Sequence, residues 1–186
     1  SILVTKKSLL DKEFWNLLTF GKVTNFNGVP FLYKIIKKIG FEKIFNSKLR
    51  FITQAGGKMN INLFQEIIKL FTKKKIKLFS MYGQTEATAR ISYLPPEDIN
   101  KKPGSVGKAI PNGKLWIENK NGELIDQIHS VGELIYSGEN VSMGYAKSIN
   151  DLKLGDMNKG VLRTGDLARF DSDGYLYIND FRDDDN

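Results

Sequence analysis

The run Met81-Tyr82-Gly83-Gln84-Thr85-Glu86-Ala87-Thr88 gathers side chains that a phosphate-bearing ligand would need. Tyr82 offers an aromatic face for a base. Gly83 lets backbone come close to a ligand. Thr85 can donate a hydrogen bond to a phosphate oxygen, and Glu86 offers a hard oxygen ligand for magnesium. The same residues also read as a strand end followed by a helix capped by Thr85, a common arrangement. The run alone leaves both readings open. Elsewhere reactive groups are sparse. The chain has no cysteine, which removes disulfides, thiolate nucleophiles and Cys-based metal sites. Its one histidine, His129, has no partner signature and is assigned no role. Gly57-Lys58 is not a phosphate-binding Walker loop: Ile52 stands where the first glycine belongs, and Met59 where Ser or Thr should follow the lysine.

Ligands of open α/β sheets collect at the carboxyl ends of parallel strands, so the elements before Met81 matter. An apolar run ending near Phe26 is broken by Asn27, Gly28 and Pro30, and Pro30 suits the start of a helix reaching Ile39, with Gly40 ending it. Leu49–Thr53 reads as a buried strand stopped by Gly56-Gly57. Asn60 or Asn62 could cap a helix through Phe64, Ile67, Ile68 and Phe71, and Ile76–Met81 reads as a third strand. Strands alternating with helices predict a parallel sheet covered by helices.

Near Leu94-Pro95-Pro96 the pattern changes. Prolines and glycines punctuate the chain from Pro103 to Gly113, and short strands are expected at 114–118, 132–137, 167–170 and 175–178. Asn121-Gly122 is a hairpin signal, and Ser172-Asp173-Gly174 marks another turn. The expected fold class is α/β: a partial parallel sheet in β-α-β-α-β order, residues 1–100, then a small antiparallel β subdomain, residues 101–186.

The 186 residues can build a real core, and no apolar stretch reaches the roughly 18 residues of a membrane span. Lacking cysteine and a targeting signal, the chain is expected to be cytoplasmic. Residues 1–80 carry 16 Lys/Arg against 4 Asp/Glu, whereas residues 81–186 carry 12 against 17. A basic half invites a nucleic-acid reading. Lys34, Lys37 and Lys38, however, alternate with Phe31, Leu32, Ile35, Ile36 and Ile39 as the polar face of an amphipathic helix does. A solvated face is the preferred reading over a nucleic-acid patch.

The segment around Tyr82 resembles the Tyr-Gly-x-Thr-Glu motif of the adenylate-forming superfamily, which includes acyl-CoA synthetases, nonribosomal peptide adenylation domains and luciferases. Phe51-Ile52-Thr53-Gln54-Ala55-Gly56-Gly57-Lys58 is similar to that family's glycine-rich strand end. Gly132-Glu133-Leu134-Ile135-Tyr136-Ser137-Gly138, continuing to Met143-Gly144-Tyr145, resembles its Gly-Glu-Leu…Gly-Tyr segment, and Arg163-Thr164-Gly165-Asp166-Leu167 its Arg-Thr-Gly-Asp motif. Asn27-Gly28-Val29-Pro30 resembles a stretch upstream. These motifs occur in the family's order and cover almost the whole chain.

The resemblance implies ATP/AMP and Mg²⁺ as ligands. Tyr82 would stack on adenine with Gly56 and Gly57 on the opposite side, Gly83 and Gln84 would belong to the same nucleotide set, and Thr85 would contact the α-phosphate. Glu86 would hold Mg²⁺, and Thr85 and Glu86 would be the catalytic pair. Asp166 would accept hydrogen bonds from the ribose hydroxyls; the alternative is a turn aspartate after Gly165. Thr53, Ala55, Met81, Ala89 and Arg90 would line the acid pocket. An inward Arg90 would favour a polar or anionic acid, and an outward one would leave it in solvent, the commoner place for arginine. The tail reads Asp180-Phe181-Arg182 where the family has Gly-Arg or Asp-Arg before its hinge. Either Arg182 serves with a one-residue shift or the ribose-contacting arginine is lost.

The implied reaction forms an acyl-adenylate from a carboxylic acid and ATP with release of pyrophosphate, usually followed by thioester formation on CoA or on a phosphopantetheinyl carrier protein. The family's phosphate loop and its C-terminal domain with the catalytic lysine have no counterpart here, so the chain alone is expected to be inactive, with a partner chain or a dimer covering exposed apolar surface. Two rival readings are a non-catalytic interaction scaffold built on this fold and a basic nucleic-acid-binding module.

Overall fold

The computed structural model describes residues 2–40 and 48–180. The chain forms two compact units: one holds the residues up to Ser80 together with Pro95–Pro103, the other Met81–Leu94 and the residues from Gly104 on.

In the first unit, α1 (Lys12–Phe20) precedes β1 (Asn25–Gly28), α2 (Pro30–Ile39), β2 (Phe51–Gln54), α3 (Ile61–Lys73) and the start of β3 (Lys77–Tyr82). β1, β2 and β3 are parallel, with Asn27 opposite Thr53 and Thr53 opposite Phe79. Pro30 opens α2 and Gly40, at φ 100°, ends it. This is the expected use of a residue with preset φ at the start and one without Cβ at the end. Asn60 caps α3: its Oδ1 accepts from the backbone of Asn62 and Leu63. Leu63, Phe64, Ile67, Ile68 and Phe71 form one buried stripe, the pattern of a helix lying on a sheet. On α2, Tyr33 and Ile36 are buried while Lys34, Lys37 and Lys38 are exposed, the amphipathic pattern that the periodicity predicts. The buried Tyr33 hydroxyl donates to the Thr53 carbonyl at 2.6 Å, fixing α2 against β2, and burial pushes its pKa up.

In the second unit β4 (Ser92–Leu94) pairs antiparallel with β5 (Lys108–Ala109). β6 (Lys114–Glu118), β7 (Gly132–Ser137), β8 (Val161–Phe170) and β9 (Leu176–Asp180) form an antiparallel sheet in that order. β4 and β5 were not expected from the sequence; both are too short to carry a periodic signal. β8 begins six residues before the expected strand, which starts at Leu167. Arg163-Thr164-Gly165-Asp166 resembles a turn, yet the strand runs through it because Gly165 takes φ 74° and the pairing with β7 is irregular there. That is a β-bulge, which a glycine accommodates without steric cost. The Asn121-Gly122 turn forms, with Gly122 N–H donating to Asn119 C=O. Its return arm makes a single bridge, Glu118 to Leu124, and β6 takes β7 as its partner. Tyr82, Ala87, Ile91, Leu134, Tyr136, Leu162, Ala168 and Leu176 are buried together as this unit's core. Thus the α/β reading with a later antiparallel sheet is borne out.

Candidate functional site

The conformation of the Tyr82–Arg90 segment follows from its sequence. Only one short 3₁₀ turn forms, Thr85–Ala87, rather than the capped helix of the alternative reading. Thr88 and Ala89 both adopt left-handed φ, 49° and 64°, and stop it. The Ala89 N–H then returns to the Gln84 carbonyl at 2.9 Å, closing a loop. Gly83 is required by that closure: a Cβ there would lie 2.5 Å from the Ala89 carbonyl oxygen. The close backbone approach expected at Gly83 is therefore made to the segment itself. Asn140 fastens the loop from outside, its Nδ2 donating to the carbonyls of Ala87 and Arg90 at 2.6 and 2.8 Å while its Oδ1 accepts from Tyr136. No sequence spacing pointed to Asn140.

Asp166 lies within β8 and is 1% exposed, so it is not a turn residue. The Thr164 hydroxyl shapes the bulge beside it, donating to Leu134 C=O at 2.8 Å and accepting from the Asp166 N–H at 3.1 Å. Two side chains of the Tyr82–Arg90 segment converge on the Asp166 carboxylate. The Tyr82 hydroxyl donates to Oδ2. The Gln84 amide donates to the same oxygen at 3.1 Å and to the Thr164 carbonyl at 2.9 Å. The sequence reading gives Tyr82 an aromatic face for a base. The structure gives it a buried ring, 4% exposed, whose hydroxyl is anchored on the predicted ribose carboxylate.

Glu86 is also buried, at 8% exposure. Its Oε1 accepts from the Tyr145 hydroxyl at 3.1 Å, and its backbone carbonyl accepts from the Ser142 N–H at 2.7 Å. A contact between the Tyr145 hydroxyl and a residue 59 positions away leaves no local trace in the sequence. Among the described residues no group of three or more His, Cys, Asp or Glu gathers as a metal cage. A Mg²⁺ that keeps its waters and substrate phosphates needs only one or two carboxylates, so a lone Glu86 fits that kind of site. Thr85 is exposed next to it.

The remaining predicted residues belong to both units. Met81 and Arg90 meet, the exposed Arg90 guanidinium reaching Met81 Sδ, and Ala89 is exposed. In the first unit, Thr53 donates to Asn27 Oδ1 at 2.8 Å and Ala55 N–H donates to Gly28 C=O at 3.2 Å. Gly56 and Gly57 turn the chain after β2 at φ 73° and 140°, with Gln54 Nε2 donating to the Gly57 carbonyl. Arg182 lies outside the described residues.

One more cluster borders the bulge. Arg163 extends one guanidinium nitrogen to Glu118 and another to Glu133, each at 2.6 Å, linking β6, β7 and β8. The Trp116 indole N–H donates to Glu118 at 2.8 Å. The Trp116 hydrogen bond, and after it Arg163, hold the Glu118 carboxyl below its usual pKa.

The chain is 32% identical over 174 residues to a 2-succinylbenzoate–CoA ligase of Geobacillus, covering 93% of this chain and 34% of that protein. It is 32% identical to an oxalate–CoA ligase of Arabidopsis thaliana, covering 89% of this chain and 32% of the relative. Among solved structures, the o-succinylbenzoate coenzyme A synthetase of Bacillus subtilis in complex with ATP and magnesium ion superposes with a TM-score of 0.73 at 26% identity, covering 91% of this chain and 34% of that one. The chain thus spans about a third of the length of the curated relatives it matches. The family model described as AMP-binding enzyme matches residues 1–146, and the chain belongs to that family.

Proposed function

We infer that the chain supplies the nucleotide-holding part of an enzyme that activates a carboxylic acid with ATP. The observation that carries this reading is the buried constellation of Tyr82, Gln84 and Asp166, with Glu86 held by Tyr145 in the same unit. A carboxylate accepts from two hydroxyls at once, which suits a ribose. The carboxylate of the acid substrate attacks the α-phosphorus of ATP, pyrophosphate leaves, and an acyl-adenylate forms. Thr85, exposed at the start of the 3₁₀ turn, would donate to the α-phosphate. Asp166 would fix the sugar, and the base would lie by Tyr82. Mg²⁺ on Glu86 would neutralise phosphate charge. The protein's share is positioning and charge neutralisation. The acyl group then passes to the thiol of CoA, as the ligase names of the relatives suggest; a carrier-protein thiol would undergo the same chemistry. Met81, Ala89 and Arg90 of the second unit are proposed to contact the acid.

ATP–pyrophosphate exchange on the full-length protein tests this, across fatty, aryl, amino and dicarboxylic acids including 2-succinylbenzoate and oxalate. Acid-dependent exchange that collapses in Glu86→Gln is expected. A folded protein that shows no exchange with any acid and binds no nucleotide would instead be a non-catalytic scaffold.

A further inference from the structure

The amino end of β3 carries an open cleft with apolar walls and a basic mouth. Where α3 ends, Lys75 takes left-handed φ, 57°, and the N–H groups of Lys75 and Ile76 return to the carbonyls of Thr72 and Phe71 at 3.0 and 2.9 Å. This turn starts β3 at Lys77. Residues of the turn and of 96–100 line a cleft of about 210 Å³. Ile68, Phe71, Leu78 and Ile99 form its apolar walls, each 4% exposed or less. Lys75 and Lys77 also line it, with Thr72 and Asn100, and all four are exposed. Among the described residues no Asp or Glu lines it. Asp98, next to Ile99, is paired with Lys101 at 3.8 Å. Lys77 N–H donates to the Arg50 carbonyl at 3.0 Å, which puts another exposed cation on the same edge of the sheet. Lys73, in the last turn of α3, offsets the helix macrodipole, but that field falls off beyond the turn and does not account for Lys77.

The walls and the mouth restrict the ligand. A cavity of about 150 Å³ lined by Leu, Ile and Phe accepts benzene, so this cleft has room for a ring and a small head group. Two ammonium groups favour an anionic head and repel a cation. A small anion without an apolar body would gain nothing from the walls. We propose that the first unit carries a second binding site, at the amino end of β3, for a small amphipathic carboxylate. Its aromatic or branched body lies on Ile68, Phe71, Leu78 and Ile99, and its carboxylate lies by Lys75 and Lys77. Ligands of parallel sheets ordinarily collect at the opposite, carboxyl ends of the strands. The lining is confined to the first unit, so this site does not rest on the roles given to Tyr82, Glu86 and Asp166.

The test titrates benzoate into the full-length protein by calorimetry, with benzyl alcohol and benzylamine as neutral and cationic counterparts. Photolysed 4-azidobenzoate reports where the ring sits. Benzoate should bind more tightly than the alcohol, and the amine more weakly than either. The photolabel should fall within residues 68–78 or 96–100. Replacing both lysines, Lys75→Met with Lys77→Met, should weaken benzoate about three- to tenfold, the worth of one or two exposed ion pairs, and leave benzyl alcohol unchanged. Thr72→Trp, which sets an indole at the cleft from an exposed position, should remove the label and weaken both ligands. Unchanged thermal midpoints certify the fold of each variant, and the label on the wild type needs no variant. Absence of label from both segments overturns the proposal. So does benzoate affinity that neither variant moves, or benzylamine bound as tightly as benzoate. Pyrophosphate exchange has no part in these readings, so failure of the nucleotide assignment would leave them standing.

Discussion

The side-chain amide of Gln84 donates to the carboxylate of Asp166 at 3.1 Å, across 82 positions of sequence. It joins the loop after β3 to the bulge of β8, two places where the chain departs from regular geometry. Ala89 and Thr88 hold left-handed φ on one side and Gly165 on the other. Left-handed residues other than glycine are costly and persist when their surroundings over-determine them. Here the surroundings are named bonds: Ala89 N–H to Gln84 C=O, and Asn140 to Ala87 and Arg90.

Tyr82→Phe should destabilise the protein by about 1.5–3 kcal/mol, the worth of a hydrogen bond to a charged group. The ring would keep its place in the core, but Asp166, at 1% exposure, would lose the hydroxyl that donates to Oδ2. Guanidinium unfolding checks this through a lower midpoint at unchanged slope. An unaltered midpoint would show that the hydroxyl contributes nothing to stability.

Two glycines of the second unit separate strain from collision. Gly174 has φ 75°, and a Cβ added there would meet nothing within 4 Å, whereas at Gly107, φ 85°, a Cβ would lie 1.7 Å from the Tyr93 carbonyl oxygen. Gly174→Ala should cost about 1–2 kcal/mol from the backbone alone. Gly107→Ala carries that cost and must also displace β4, so it should lose much more, to the point of poor folding. Equal unfolding midpoints for the two variants would contradict the close approach of Gly107 to Tyr93.

Much of this was legible in the sequence. Pro30, Gly40 and Asn60 mark helix ends by their own chemistry, and the parallel strands follow from alternation with helices. β6 and β7 fall where their apolar residues put them. The Tyr82–Glu86 and Arg163–Asp166 motifs indicated the residues that converge. What was hidden depends on tertiary partners. The burial of Tyr82 follows from a hydroxyl bond to a residue 84 positions on. Asn140 and Tyr145 sit in an irregular loop whose spacing resembles any turn. Gly165-Asp166 looks like a turn because a bulge uses the same residue types.

Acid should weaken the Arg163 cluster. The Glu118 carboxyl titrates below its ordinary value because the Trp116 indole and then Arg163 favour its charged form. A depressed folded-state pKa contributes stability above the unfolded-state value, and that contribution fades as pH falls through the folded one. Thermal midpoints of wild type and Glu118→Gln should therefore differ at neutral pH and converge below the carboxylate range. The difference should be small, because the Arg163 side chain is 53% exposed and screened by solvent. A gap that widened in acid would mean that the charged form of Glu118 is not the stabilising one.

Tyr145→Phe separates positioning from folding. Tyr145 is 72% exposed, so losing its hydroxyl should leave the thermal midpoint nearly unchanged. The hydroxyl nevertheless donates to Glu86 Oε1 at 3.1 Å, and groups that orient a metal-binding carboxylate affect metal affinity strongly. With Glu86 as the Mg²⁺ carboxylate, the Mg²⁺ concentration for half-maximal pyrophosphate exchange in the full-length protein should rise roughly tenfold. Saturating Mg²⁺ should restore most of the rate, since Thr85 and Asp166 are untouched. An unchanged Mg²⁺ dependence would leave Tyr145 with no part in holding Glu86. A loss of exchange that Mg²⁺ cannot restore would place its hydroxyl in the reaction rather than beside the metal.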